Sequence, residues 1–351
     1  MTDLHPLSSM VRDFYNKLNT EVNFVCRLND ADLTKDQTDI FNQLSEEIKK
    51  RYYGSGINIP EKLEGKRVLD IGCGSGSLVF ILSKLVGPKG SVVGVDMTDG
   101  LIDTAKQQSD FHAKLWGYDK PNFEFKVGNV ETLDKLGYAP NSFDIVVSNG
   151  VFCLVPDKDA GFTHAYNLLK EGGQFYLNDV YAEKDPPEEH RNNETLWSLG
   201  TTGAMRWDRL AELSGRVGFT TPYLTCAAPV NIVKDEYNTM LKNGRYACAG
   251  WRLFKLGQGA KRDASRVTYN GNISAFPQAF PWDVDLTFPK GTGVDVDAEL
   301  ATILSSTYLN DSFTFAQASG TPQTNRNQNP FALMDKLEAA GKLPDPIYKI
   351  E

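Results

Sequence analysis

Three glycines at alternate positions, Gly72, Gly74 and Gly76, follow the carboxylate of Asp70 at the end of a short apolar run over residues 67–71. Glycine admits positive φ and leaves bare peptide groups against which a ligand can lie. A helical pattern opening at Ser77-Leu78-Val79 turns its unpaired N–H groups on the same spot. The chemistry such an arrangement serves is the holding of a nucleotide-like cofactor. A second apolar strand, residues 90–97, carries Asp96 about 20 residues beyond the loop, where a carboxylate accepts both hydroxyls of a ribose. A dinucleotide loop shares the glycine spacing, but an acidic residue two positions ahead of the first glycine would repel a pyrophosphate.

Residues 122–127 read as a third strand feeding Gly128-Asn129-Val130-Glu131, and 141–149 as a turn and a fourth strand ending in Ser148-Asn149. This succession resembles the S-adenosylmethionine-dependent methyltransferases, and the resemblance implies S-adenosyl-L-methionine as cofactor. Asp70, Gly72, Cys73, Gly74 and Gly76 would wrap its methionine end, which Asn149 also reaches. Asp96, with Met97 beside it, would take the ribose, and Asn129, Val130 and Glu131 would flank the adenine.

The 351 residues allow one large domain or two modest ones, and 41% hydrophobic with 23% charged residues is ordinary for a soluble globular protein. A net charge of −8, with no stripe of lysine and arginine among aromatics, argues against a nucleic-acid partner. Apolar runs are no longer than strands, so no membrane partner is expected, and the first residues show no basic-then-apolar leader. Five cysteines without C-x-x-C spacing point away from zinc or a disulfide framework and toward the cytoplasm. The expected partner is a small-molecule substrate.

Residues 10–18 and 35–52 carry helical spacing. The second places Ile40, Phe41, Leu44 and Ile48 on one side, with Thr34 and Gln37 spaced as a capping box. Strand and helix patterns alternate from residue 66 to 254, with a fifth strand at 173–180, a helix opening at 206–208 and a last pair of strands at 223–227 and 251–254. Beyond 257 the pattern shifts to strands at 266–269, 284–288 and 313–315, a helix at 297–304 and a polar loop at 318–329. The expected fold is α/β: a doubly wound, Rossmann-like methyltransferase sheet over 61–258, an N-terminal helical cap over 1–60 and a smaller C-terminal α+β domain over 262–351. The cap is expected to close over the cofactor.

Several stretches are similar to one methyltransferase family in particular, the arsenite S-adenosylmethionine methyltransferases, over nearly the whole chain. They are Arg51-Tyr52-Tyr53-Gly54, Val95-Asp96-Met97-Thr98, Val146-Val147-Ser148-Asn149 with Leu154-Val155-Pro156-Asp157-Lys158, Asp179-Val180-Tyr181, Leu196-Trp197 and Val267-Thr268-Tyr269-Asn270-Gly271. The resemblance implies that Tyr53 lies next to the sulfonium, where an aromatic face steadies the charge. It also exposes a change in acceptor chemistry. Members of that family hold trivalent arsenic through three thiolates, since a thiophilic metalloid selects sulfur. The corresponding positions here are Ser55, Gly150 and Gly200, an auxiliary cysteine position is Val79, and Cys26 alone is retained. Cys153, three residues past Gly150, is the thiol placed to compensate; Cys73 belongs to the cofactor loop, and Cys226 and Cys248 fall in strand segments as core residues.

With the cage gone, a pocket built from Ser55, Gly150, Cys153, Gly200, Thr201 and Thr202 has room for a bulkier organic acceptor. Arg206, with its planar fork, is the candidate clamp for a carboxylate. Of the histidines, His5 is terminal and His112 and His164 fall in helices behind the sheet, which leaves His190 as the candidate base. The expected reaction is O-methylation of a small organic metabolite, a carboxylate before a phenol, with Tyr53, Arg206 and His190 as catalytic residues. Two alternatives stand beside it: methylation of a metalloid or thiol through Cys26 and Cys153, and a cofactor-binding regulatory subunit without transfer activity.

Overall fold

The structure, a computed structural model, describes residues 4–21, 34–52, 59–322, 328–346 and 348–350. At its centre lies a mixed sheet. Strands β1 (Arg67–Ile71), β2 (Ser91–Asp96), β3 (Phe123–Val127), β4 (Phe143–Asn149) and β5 (Leu169–Ala182) run parallel in the order 3-2-1-4-5. The two-residue β6 (Met205–Arg206) pairs with the end of β5. Beyond β5 come β8 (Tyr246–Phe254) and then β7 (Tyr223–Ile232), each antiparallel to its neighbour. The sequence pattern predicts only 251–254 of β8, because Ala247, Ala249 and Gly250 are weak strand formers; burial of all nine residues overrides that weakness. The strand order reverses at β1, which opens a crevice at the carboxyl ends of β1 and β4 where ligands of such sheets bind.

Ahead of the sheet lie α1 (Pro6–Glu21), α2 (Lys35–Gln43) and α3 (Glu46–Lys49). Between strands come α4 (Ser77–Val86), α5 (Asp99–Gln107), α6 (Ser109–Leu115), α7 (Lys158–Leu168), α8 (Glu194–Ser198), α9 (Arg209–Val217) and α10 (Asp235–Met240). The Thr34–Gln37 capping box forms at α2. α4 is apolar nearly all round because it is covered on two sides, by Ile40, Leu44, Ile48 and Tyr52 and by Val92, Phe123 and Phe125 of the sheet. No helix among the described residues is long and apolar enough to cross a membrane.

The single helix expected over 35–52 breaks at Leu44, and the reason is His112. The Ser45 N–H leaves the helical ladder and donates to His112 Nε2 at 3.3 Å, which puts the ring proton on Nδ1, donated to the Gln108 carbonyl at 2.8 Å. The ring stacks on Phe80 with centroids 3.8 Å apart. Burial lowers the His112 pKa, so the unfolded chain binds its proton first. The stability this neutral ring contributes is therefore complete above the ordinary histidine value and is lost as pH falls through the folded one. Urea unfolding between about pH 7 and 5 should show a steeper loss of stability in the native protein than in His112→Gln; equal slopes would contradict the assignment.

The remaining chain adds β9 (Ser265–Tyr269), β10 (Ala279–Pro281), β11 (Thr287–Pro289), β12 (Gly293–Val296), α11 (Ala298–Ser306) and β13 (Phe313–Gln317). β9 is the centre of a separate antiparallel sheet between β12 and β13, and β10 and β11 form a hairpin. The strand expected at 284–288 is in part the hairpin's turn, held by Asp283, which accepts the N–H groups of Asp285 and Leu286 at 2.9 and 2.8 Å. Trp282, Phe280 and Phe288 share a core with Tyr223 and Phe254 of the main sheet. The junction also contains Arg252 of β8, fully buried, which pairs with Glu61 ahead of β1 and donates to the Trp282 carbonyl at 3.1 Å. After this unit the chain returns to the main body. α12 (Pro330–Ala339) packs Phe331 and Met334 into the main core, and β14 (Tyr348–Ile350) adds in parallel to β7.

Candidate active site

The glycine loop between β1 and α4 is tied to the end of β2: the N–H groups of Gly72 and Cys73 donate to the Val95 carbonyl at 2.7 and 3.0 Å. Its glycines serve different ends. A Cβ on Gly72 would stand 2.1 Å from a methyl of Val151, and one on Gly76 would stand 2.7 Å from the Phe125 ring. A Cβ on Gly74, where φ is +54°, would meet nothing within 4 Å, so this peptide presents an open face. Gly74 lines the cavity, whereas Gly76, expected as a cofactor contact, instead lets α4 approach β3.

Asp96 anchors the next corner. Its carboxylate accepts the Gly74 N–H at 2.9 Å and the Thr98 N–H at 2.8 Å. Burial raises its pKa while these donors oppose the rise. Each oxygen keeps a lone pair for a ribose hydroxyl. Asp70 lies one layer behind, 2% exposed and outside the cavity wall; burial, then the charge of Asp96, raises its pKa well above the carboxylate range. It stands under the loop that lines the cavity.

A cavity of about 1120 Å³, its mouth included, is lined by Gly72, Cys73, Gly74, Asp96, Met97, Asn129, Val130, Glu131 and Asn149, all expected from the sequence. Its wall also holds Ser8, Val11 and Tyr15 of α1, and Arg51, none of which sequence reasoning singled out. α1 closes over the cavity. Ser8 Oγ donates to Glu131 at 2.9 Å, Asn16 Nδ2 to Asp99 at 2.9 Å, and the Tyr15 hydroxyl to the Ser198 carbonyl at 3.3 Å. The only signal for this in the sequence is the helical spacing itself, which does not say what the polar face of the helix meets.

The open face at Gly74, the acceptor pair of Asp96 and the polar 129–131 loop fit S-adenosylmethionine. Bound there, it supplies an electrophilic methyl group; the protein's task is to aim an acceptor at it.

The cavity continues past the loop to Gly150, Val151, Cys153, Leu154, Val155, Val180, Leu199 and Gly200. Gly200 has φ +77°, and a Cβ there would lie 2.8 Å from Cys153 Sγ. The Cys153 thiol thus fills the room that a side chain at position 200 would take. It is 4% exposed, and burial together with the charge of Asp179 raises its pKa well above the usual thiol range. Cys73 also lines the cavity, but its sulfur turns into the sheet, 2.9 Å from the place of a Cβ on Gly94. Cys248 is buried in β8 and Cys226 half-buried in β7, both away from the wall.

Four residues expected in the acceptor pocket or in catalysis are not brought to this cavity. Arg206 sits at β6 with its guanidinium bound to Asp208 at 2.6 Å and Asp185 at 3.3 Å, and it lines a separate surface hollow together with Thr202. Thr201 is buried and donates to the Leu196 carbonyl at 2.8 Å. His190 ends a short turn over Glu188–His190 and lines neither the cavity nor the hollow. Neither Arg206 nor His190 therefore stands on the wall formed by the described residues, and the arginine that does is Arg51. Tyr53, Ser55 and Cys26 lie outside the described residues.

Comparisons with known proteins follow the same lines. A family described as "Methyltransferase domain" matches residues 62–245, and one described as "Arsenite methyltransferase C-terminal domain" matches 262–346. The chain is 38% identical to the arsenite methyltransferase of Mus musculus, over 77% of this chain and 72% of that protein. It is 40% identical to the Homo sapiens arsenite methyltransferase, over 76% of this chain and 72% of that one. An arsenic (III) S-adenosylmethionine methyltransferase from Chlamydomonas reinhardtii superposes with a TM-score of 0.77 at 32% identity, covering 84% of this chain and all of that structure.

Proposed function

The chain belongs to the arsenite methyltransferase family of S-adenosylmethionine-dependent enzymes, and within it we propose that this protein methylates a soft acceptor held by Cys153 rather than arsenite in a three-thiolate cage. One observation carries the reading. The Cys153 sulfur stands where a side chain at position 200 would reach, on the wall that Gly150 and the cofactor loop share. A thiol there keeps an affinity for thiophilic centres but supplies fewer bonds to them.

Trivalent arsenic carries three ligands, and each carbon group already on it takes the place of one thiolate. A pocket with one thiol, or two where Cys26 joins, favours an arsenical bearing two carbon groups or one. The wall agrees: Val11, Leu154, Val155, Val180 and Leu199 are apolar and suit methyl or aryl groups. A soft centre attacks through a lone pair without shedding a proton, so the reaction needs neither a base at His190 nor a clamp at Arg206.

Transfer of a labelled methyl group to arsenite, mono- and dimethylated trivalent arsenicals, small thiols and carboxylic acids tests the reading. Turnover should favour the methylated arsenicals over arsenite by about tenfold or more. Methyl esters as the main product would overturn it in favour of a carboxylate acceptor, and tight cofactor binding with no acceptor at all would make the chain a regulatory subunit.

A further inference from the structure

Cys153 does not stand alone behind the acceptor wall. Asp179 of β5, 2% exposed, accepts N–H groups from Val151 at 3.2 Å, Phe152 at 2.6 Å, Cys153 at 3.1 Å and Val180 at 2.8 Å. Three of these donors are consecutive residues of the loop after β4, so one carboxylate sets the course of the segment that carries the thiol. Burial, then the charge of this carboxylate, raises the pKa of the Cys153 thiol. A nearby cation is Lys158, the first residue of α7, whose ammonium donates to the Val155 carbonyl at 2.8 Å. Lys158 lines the surface hollow, while Cys153 lines the cofactor cavity, so the cluster stands between the two spaces. The other ionisable groups facing it are Glu131 and Arg191, both acting on Lys158, and Tyr181, whose buried hydroxyl has no partner.

We propose that Asp179 is the positioning residue for the acceptor thiol: it clamps the loop so that Sγ meets the cavity, and it takes the thiol proton when the sulfur bonds a soft centre, with Lys158 as standing counter-charge. This rests on the reading of Cys153 as that thiol. The step balances without oxidation or reduction. The S–H bond breaks, as does the bond from arsenic to a leaving hydroxide, and an S–As bond forms. The proton passes by way of Asp179 to the hydroxide, which departs as water, and arsenic stays trivalent. Only a carboxylate satisfies the four N–H donors and can still take a proton; an amide would turn an N–H toward those donors and has no basic site for the proton. Lys158 balances the charge in an interior where an unpaired carboxylate is costly.

The test is the rate at which dimethylarsinous acid adds to Cys153 in the full chain without cofactor, followed by intact-protein mass spectrometry and peptide mapping. Cofactor affinity is measured in parallel. Asp179→Asn should slow addition by about a hundredfold while cofactor affinity changes by less than about twofold. Lys158→Met should slow it by about tenfold, and Lys158→Arg, which keeps the charge, should restore it. Where Asp179→Asn does not fold, the Lys158 pair decides. Unchanged rates in these variants, with Cys153 still the site of addition, would overturn the positioning role and leave the Cys153 reading intact. A fall in rate matched by an equal fall in cofactor affinity would also overturn it, marking plain structural damage. Addition that survives Cys153→Ser, or no addition to Cys153 in the native chain, would overturn both.

Discussion

Cys153→Ser should reduce methyl transfer to a dimethylated arsenical by about a thousandfold and leave cofactor affinity unchanged. The substitution isolates chemistry from packing. Serine is close to cysteine in size, so the wall beside Gly200 keeps its shape. What changes is softness: a hydroxyl oxygen is a poor ligand for a thiophilic centre. The residues expected to hold the cofactor, Gly74, Asp96 and the 129–131 loop, make their hydrogen bonds without the sulfur. Single-turnover rates and calorimetric titration of the cofactor separate the two effects. A variant that keeps a tenth or more of the native rate would refute a role for this thiol in holding the acceptor.

The largest loss of stability should come from Glu61→Gln, at about 3–5 kcal/mol. Arg252 is fully buried, and Glu61 is its paired carboxylate. The guanidinium lies 4.5 Å from the centre of the Trp282 ring and also donates to the carbonyl of that residue. This one charge therefore ties together the segment before β1, the sheet and the C-terminal unit. Replacing the acid alone leaves a cation in the interior with its Coulomb partner gone. Replacing both residues by methionine should cost clearly less than Glu61→Gln, because no charge is then stranded. Denaturant unfolding of the three proteins checks the order; equal stability of Glu61→Gln and the native chain would show that solvent reaches the pair.

What was legible in the sequence is what local spacing controls. The glycine loop, Asp96 and the 129–131 loop each depend on a strand end and its next few residues, and all meet at the cavity. The spacing groups Gly76 with the cofactor residues and does not report its packing partner, because the Phe125 ring belongs to another strand. Nearness to Gly200 in the chain suggests Arg206 and Thr202 as pocket residues. The backbone does not keep them there. It turns at Gly200 and presses Gly203 so close to the Cys153 carbonyl that a Cβ would stand 2.1 Å from it, and Thr202 and Arg206 emerge in the outer hollow. The meeting of Cys153 with position 200 joins two loops remote in sequence, and no periodicity reports it. The break at Leu44 and the return of β14 to β7 are likewise set by partners far along the chain, His112 and Val230 to Ile232.

The account depends on how many sulfur atoms grip the acceptor. Arsenic K-edge X-ray absorption of the protein loaded with a dimethylated trivalent arsenical counts them. The prediction is a single As–S contact beside two As–C bonds, with the sulfur shell lost in Cys153→Ser. A shell of three sulfurs around bound arsenite, or a sulfur contact that persists in Cys153→Ser, would contradict it.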